Sequence, residues 1–266
     1  VAVSGYSVAG LQQALHAGRV QGWGMQRGGS LTVGAHRVHI GDAAPAAAAD
    51  PPDPAPLWLE PGHFSRGGFA QHQVDAMDRL EVAAGTRVHA QVQHRVPHAL
   101  ARLQPSGTPM AALTQTVLRP EHEREAASLT LSARESGADP GELLLGAGSQ
   151  LEVDARGALE LSARHRVVVD GTLRAPGGRI AVEIDNRGGQ LAEQRPDHHL
   201  WLGERARLDA AGTTLTWRNA QGQLHGRVLP GGTVRLTTQT GTLVALPGAV
   251  VDVAGAPPVR LDLPAA

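Results

Sequence analysis

The chain has 266 residues, with 24 basic against 25 acidic side chains and a formal net charge of −1. It therefore lacks the basic surplus that nucleic acid or an anionic membrane surface recruits. The absence of cysteine excludes disulfides, thiolate metal sites and cysteine nucleophiles. Aromatic residues are 3% of the chain, so a core must be filled by Leu, Val, Ile and Ala in narrow aliphatic layers instead of by large rings.

The opening VAVSGYSVAG shows neither an initiator Met nor a charged-then-apolar leader, and reads as the interior of a longer polypeptide. No apolar run reaches the ~18 residues of a membrane-spanning helix, so no membrane insertion is expected. Residues 1–41 are expected to hold the first coils. Within them GGSLTVGAHRVHI (28–40) alternates apolar and polar around a glycine break, which predicts a pair of strands. DAAPAAAADPPDPAP (42–56) has neither period nor bulk and reads as a surface loop. The alternation returns over 57–93, in LWLEPGHFSRGGFAQHQV and DRLEVAAGTRVHAQV. Residues 94–126 lose it and carry four prolines, which predicts an irregular excursion with one helical turn in PEHEREAA. From 127 to 255 the phrases SLTLSA, GELLLGAGSQLEVDA, GALELSARHRVVVDGTLRA and PGGRIAVEID repeat one rule. Two or three inward apolar residues alternate with polar ones, then Gly, Asp or Pro-Gly turns the chain. Loops are expected at 186–199 and 213–230, and 256–266 is a Pro-rich tail.

Leu159, Ile180 and Leu200 open comparable runs about twenty residues apart, a period suited to a solenoid. One such coil cannot bury its aliphatic face alone. Stacking the next coil covers that face and pairs the backbone at ~4.8 Å spacing. Eight to ten coils would give a rod on the order of 40–50 Å long at that rise. An antiparallel sandwich is the competing all-β arrangement, but it would carry Asn-Gly hairpin turns where this chain has GAG, DARG, APGG and LPG.

The polar residues offer several tests for chemistry. His198 and His199 beside Asp197 form the densest histidine cluster, and His94 and His98 are four apart. Neighbours on a strand point to opposite faces, and Pro97 disfavours a helix between His94 and His98, so all four read as solvated loop histidines. EHERE (121–125) lacks the HExxH spacing of a metalloprotease and reads as a solvated charged segment. Ser65 in GHFSRGG has no nucleophile-elbow context and reads as a turn serine. The glycine pairs within 28–29, 66–68, 176–178, 187–189 and 230–232 precede strands, not the helix a phosphate loop needs, and read as corners. Asp154, Asp170, Asp185 and Asp209 mostly flank turns, where Asp caps local backbone. No residue is assigned a catalytic, cofactor-binding or metal-ligating role on these grounds, and no binding residue can be singled out. A polysaccharide-active solenoid enzyme is the alternative, and it requires acidic or Arg side chains from neighbouring coils to converge in one groove.

Three phrases, HFSRGGFAQHQVDAMDRLEVAAGTRV (63–88), LTQTVLRPEHEREAASLTLSA (113–133) and VVVDGTLRAPGGRIAV (167–182), stand in an order and spacing that resembles the large filamentous-haemagglutinin-like exoproteins of Gram-negative bacteria. The likeness covers about 28–255, and the stretch from Phe64 through Ser65, Arg66, Gly67 and Gly68 to Phe69 is its most specific part. The resemblance implies an all-β, right-handed parallel β-helix with extra-helical loops, from the body of such a protein. It also implies export through an outer-membrane transporter of two-partner secretion, and a non-catalytic adhesive stalk held at the bacterial cell surface. The partner implied is a host or bacterial surface receptor or glycan. Some relatives use such a stalk to deliver a toxin in contact-dependent inhibition, which is a further alternative.

Overall fold

A computed structural model of the chain describes residues 2–4, 20–24, 27–45, 55–134, 140–185, 198–239 and 241–262. The alternation read from the sequence is realised directly. In Ser128–Ala133, Ala158–Ala163 and Arg179–Ile184 the alternate positions Leu129, Leu131 and Ala133, Leu159, Leu161 and Ala163, and Ile180, Val182 and Ile184 are buried. Side chains at i and i+2 share a face of a strand, so each strand lays two or three aliphatic groups on the interior.

These strands stack in three rows of parallel pairs. Row one takes the first halves of Gly29–Ile40 and Phe69–Val82, then Ser128–Ala133, Ala158–Ala163, Arg179–Ile184 and Thr233–Thr238. Row two takes the second halves of the same two long strands, then Glu142–Leu145, Arg166–Val169, His199–Leu202 and Thr242–Ala245. Row three holds Arg87–Ala90, Gln150–Val153, Thr172–Arg174, Arg207–Asp209 and Val250–Asp252. From Phe69 onward the chain visits the rows in the order one, two, three, so the architecture is all-β and solenoid-like.

Register puts like on like. One interior column reads Leu31, His72, Leu129, Leu159, Ile180, Val234. The next reads Val33, Val74, Leu131, Leu161, Val182, Leu236. Ile180 and Val182 are fully buried between coils above and below. Each such Val, Leu or Ile contributes about 1.5–3 kcal/mol when removed from water. Phe64 and Phe69, the chain's two phenylalanines, are the large rings inside. All four tryptophans are half-buried at the surface instead.

Coil spacing leaves no room for a side chain at one corner. Gly157, Gly178 and Gly232 sit one residue ahead of the paired Ala158, Arg179 and Thr233. A Cβ on Gly178 would collide with the carbonyl oxygen of Gly157, and one on Gly232 with that of Gly178. Gly178→Ala is therefore expected to cost about 1–3 kcal/mol through overpacking, read as a lower urea midpoint. A midpoint equal to wild type would show that the corner can relax.

Several expectations are corrected. Residues 28–40 are one strand, Gly29–Ile40, bent across two rows by register shifts, not a strand pair. Leu200 is not in the column of Leu159 and Ile180; it lies in row two opposite Val167, and Val234 follows Ile180 instead. Among the described residues the stack also has fewer than eight coils, because the segments 94–126 and 213–230 spend chain outside it. The helical turn expected in PEHEREAA amounts to one hydrogen-bonded turn, with the N–H groups of Glu123 and Arg124 on the Pro120 carbonyl, and Met110–Leu113 adds a short α-helix that was not expected. Around it, His94–Pro97 pairs antiparallel with Thr114–Val117. The expected loop at 213–230 is an antiparallel hairpin, Thr214–Arg218 with Leu224–Val228. Its turn is held by Asn219, whose Oδ1 accepts the N–H groups of Gln221 and Gln223. Asn219 works here without the Asn-Gly pair that a sequence search favours. Residues 46–54 and 186–197 of the other expected loops, and 263–266 of the tail, lie outside the described residues. Within the span 186–199, His199 already belongs to a strand.

The two ends of the stack differ. At one end Ala2–Ser4 pairs with the outer edge of Gly29–Ile40 in row one. Leu57–Leu59 does the same in row two, lying outside a strand that precedes it in the chain. At the other end no described strand pairs with the outer edges of Thr233–Thr238, Thr242–Ala245 or Val250–Asp252. Leu243 and Val251, which lie over buried Leu200 and Leu208, are 42% and 49% exposed there. Open strand edges over an apolar end recruit further strands. The chain is expected to self-associate with rising concentration in sedimentation velocity, and Leu243→Lys to suppress this. A monomer at every concentration would contradict it.

Candidate functional site

The outward face of row two collects the functional-looking side chains. Five of its strand segments place a charged or imidazole side chain on the outward face just before an inward aliphatic one. In register these first positions are Arg37, Arg79, Glu142, Arg166 and His199. Neighbouring coils place them ~4.8 Å apart, so one carboxylate lies between two guanidinium groups. Arg79 Nη2 donates to Glu142 Oε2 at 2.6 Å, and Arg166 Nη2 lies 2.6 Å from Oε1. Arg37 is paired with Asp78. A cleft of about 420 Å³ opens beside Arg37, His39, Asp78, Arg79, Glu81 and Glu142.

Burial pushes the Glu142 carboxyl up, but the hydrogen bonds and charges of Arg79 and Arg166 outweigh it and hold the group below its ordinary 4.5. The carboxylate is thus ionised at neutral pH and has no proton to donate as a general acid. The groove does gather acidic and Arg side chains from neighbouring coils, as the enzyme alternative requires. The pairing already present makes them a mutually neutralised ladder that locks coil to coil.

The third outward positions of row two run His39, Glu81, Leu144, Val168, Trp201 and Val244. At the Trp201 end a second, shallow cavity of about 350 Å³ is bounded by Val168, Asp170, Glu204, Arg205 and Leu246. Asp170 Oδ1 accepts the backbone N–H of Arg205 at 3.2 Å, an inter-coil bond and not the local cap expected. Gly203 makes this possible, because a Cβ there would collide with the Asp170 carboxylate.

A third cluster lies between the excursion 94–126 and row three. Asp154, with its side chain 2% exposed, accepts from both Nε and Nη2 of Arg124, and His89 Nε2 lies 3.3 Å away. Arg124 also donates to the carbonyl of Arg119 at 2.8 Å. Burial raises the Asp154 carboxyl, yet Arg124 and His89 together bring it below the ordinary 3.8. Three of the other four EHERE side chains are engaged as well, while Glu123 stays exposed. Glu121 accepts the N–H of Ala155, Glu125 accepts that of Gly28, and His122 stacks on Trp217 at 4.8 Å. The reading of 121–125 as a solvated segment is therefore overturned: it is a clasp that fastens the excursion to the stack. Asp154 likewise holds a distant arginine and not its own turn.

The remaining candidates fall apart as sites. His94 is buried in its antiparallel pair while His98 is half-buried, with its ring against Ala112 O and Leu100 N. His198 is buried edge-on to His165 at 5.2 Å, while His199 faces out against Trp201. Neither His94 nor His198 is the solvated residue expected; Asp197 lies outside the described residues. Ser65 Oγ donates to Gly62 O within a short 3-10 turn. Gly67 and Gly68 adopt φ of 78° and 74° and pack under Phe69 and Trp23. The glycine pair Gly188 and Gly189 lies outside the described residues. Asp209 Oδ1 does cap locally, onto Ala211 N–H, and Asp185 accepts from Arg164 through its carbonyl. Among the described residues no group of three or more His, Asp or Glu is placed to hold a metal ion.

The row-two ladder escaped motif reading because its members come from strands far apart in the chain. The available signal was the repeated phrase of one charged or imidazole residue before an aliphatic run: RLEV, ELLL, RVVV, HLWL. No family model, curated protein or solved structure matches the chain.

Proposed function

We propose that the chain is a right-handed parallel β-helical stalk segment of a secreted, filamentous-haemagglutinin-like surface exoprotein, serving adhesion and not catalysis. The observation that supports this best is the in-register stacking of parallel strands in three rows. Such a ladder resists bending along its axis and lets length grow without a thicker core. Right-handed winding follows the strong preference of parallel crossovers for that hand. Gram-negative origin, export through an outer-membrane transporter and a cell-surface location are proposed with it, on the resemblance of the phrases at 63–88, 113–133 and 167–182. The exposed hairpin and excursion offer variable surface to a host or bacterial receptor.

The test is direct. Beads coated with the 266-residue chain should adhere to epithelial or bacterial cells several-fold more than albumin-coated beads. Equal adhesion would remove the adhesive part of the reading, and a left-handed winding in a crystal structure would remove the architectural part.

A further inference from the structure

The Trp201 cavity has the chemistry of a sugar site. A pyranose ring has an apolar face of polarised C–H bonds and an edge of hydroxyls. It is matched by a flat indole, whose negative ring face attracts those C–H groups, with planar carboxylate and guanidinium groups around it. Here the indole of Trp201 stands out from row two between Val168 and Val244. It is half-exposed in a chain whose core takes no tryptophan. Its ring contact is His199, edge-on at 6.2 Å. Asp170 is fixed over Gly203 by the Arg205 N–H, and Glu204 and Arg205 are exposed on the adjoining turn. The volume of about 350 Å³ lies at the small end of ligand pockets, roughly 300–1,000 Å³, and suits one or two rings.

We propose that this cavity binds a neutral hexopyranose unit of a glycan, seated on Trp201 with its hydroxyls on Asp170, Glu204 and Arg205. Two carboxylates against one guanidinium give the rim a net negative charge, which disfavours uronates and sialylated ends. The inference deepens the adhesive reading by naming a partner class, and it rests on that reading for its biological setting. Its binding test stands apart: a stalk that grips cells by another surface passes the bead assay and fails here.

The experiment is a glycan array carrying neutral hexose, N-acetylhexosamine, uronate and sialylated oligosaccharides, probed with the intact chain. Calorimetry with the best neutral glycan follows. Binding with Kd on the order of 1 mM is expected for a shallow single-ring site. Trp201→Ala should weaken it at least about tenfold and Glu204→Gln measurably, while Trp201→Phe retains part of it. Unchanged circular dichroism and urea midpoint in Trp201→Phe and Glu204→Gln separate lost binding from lost folding. No neutral glycan bound at roughly 10-fold above that concentration, preference for anionic glycans, or binding indifferent to both Trp201→Ala and Glu204→Gln would each overturn the proposal.

Discussion

Replacing His72 with leucine is expected to flatten the acid sensitivity of the protein between pH 6.5 and about 4. His72 is 3% exposed in an interior column, between Leu31 and Leu129. Burial chiefly, and the neighbouring His63, push its imidazole from the ordinary 6.5 down to about 4, with a backbone hydrogen bond at Phe69 opposing them. The unfolded chain therefore takes up a proton at His72 as pH falls below 6.5, while the folded protein stays unprotonated there until about 4. Stability is lost across that window, because the unfolded state binds the extra proton. The loss attributable to this group is roughly 3 kcal/mol at the bottom of the window, at about 1.36 kcal/mol for each pH unit. Leucine matches the rest of the column and removes the titration. Urea midpoints of wild type and His72→Leu should diverge progressively from about pH 7 to about pH 4, the variant being the more resistant. Parallel curves over that range would show that His72 is not the sensor.

Asp154→Ala is expected to cost about 3–5 kcal/mol and to loosen the excursion 94–126. That range is typical when one partner of a buried ion pair is removed and the other charge is stranded. Arg124, with its side chain 8% exposed, would be left facing a dry pocket. Arg124→Ala should be less damaging, because His89 and Gln91 still face the carboxylate. The double variant should lose clearly less than the two single losses added together. Release of the clasp has its own readout, since trypsin should cut at Arg95, Arg102 or Arg119 in Asp154→Ala far faster than in wild type. Mass spectrometry of the fragments identifies the cut. A variant with the wild-type urea midpoint and cleavage pattern would refute the clasp. The carboxyl of Asp154 lies below its ordinary 3.8. Its contribution is therefore present above that value and fades as pH falls beneath it, on the acid side of the His72 window.

The rows were legible because strand periodicity is a local property. SLTLSA or RIAVEI declares its buried side with no knowledge of what covers it. Register was not legible wherever a corner carries an insertion. Leu200 looks like the successor of Ile180 by spacing, but it belongs to a row-two strand and Val234 takes that place. The polar clusters were hidden for a related reason. Arg124 and Asp154 are thirty positions apart in the chain, and no period links them. EHERE read alone is an unbroken run of charged and imidazole side chains, which the cost of desolvation normally leaves in water. Only the folded excursion gives its members their partners. Trp201 carried a weak signal that went unused: a tryptophan at an outward position of an otherwise aliphatic strand.

The crowded glycine corner also separates how long the polypeptide is from how long the rod is. Residues 175–178 make the passage from row three to row one in a single tight step, while residues 210–232 make the same passage with a whole hairpin interposed. Gly178 and Gly232 nonetheless stack directly on one another. Material can thus enter or leave at that junction with its flanking rungs undisturbed, which makes the hairpin an exchangeable cassette for grafting foreign epitopes onto a fixed axis.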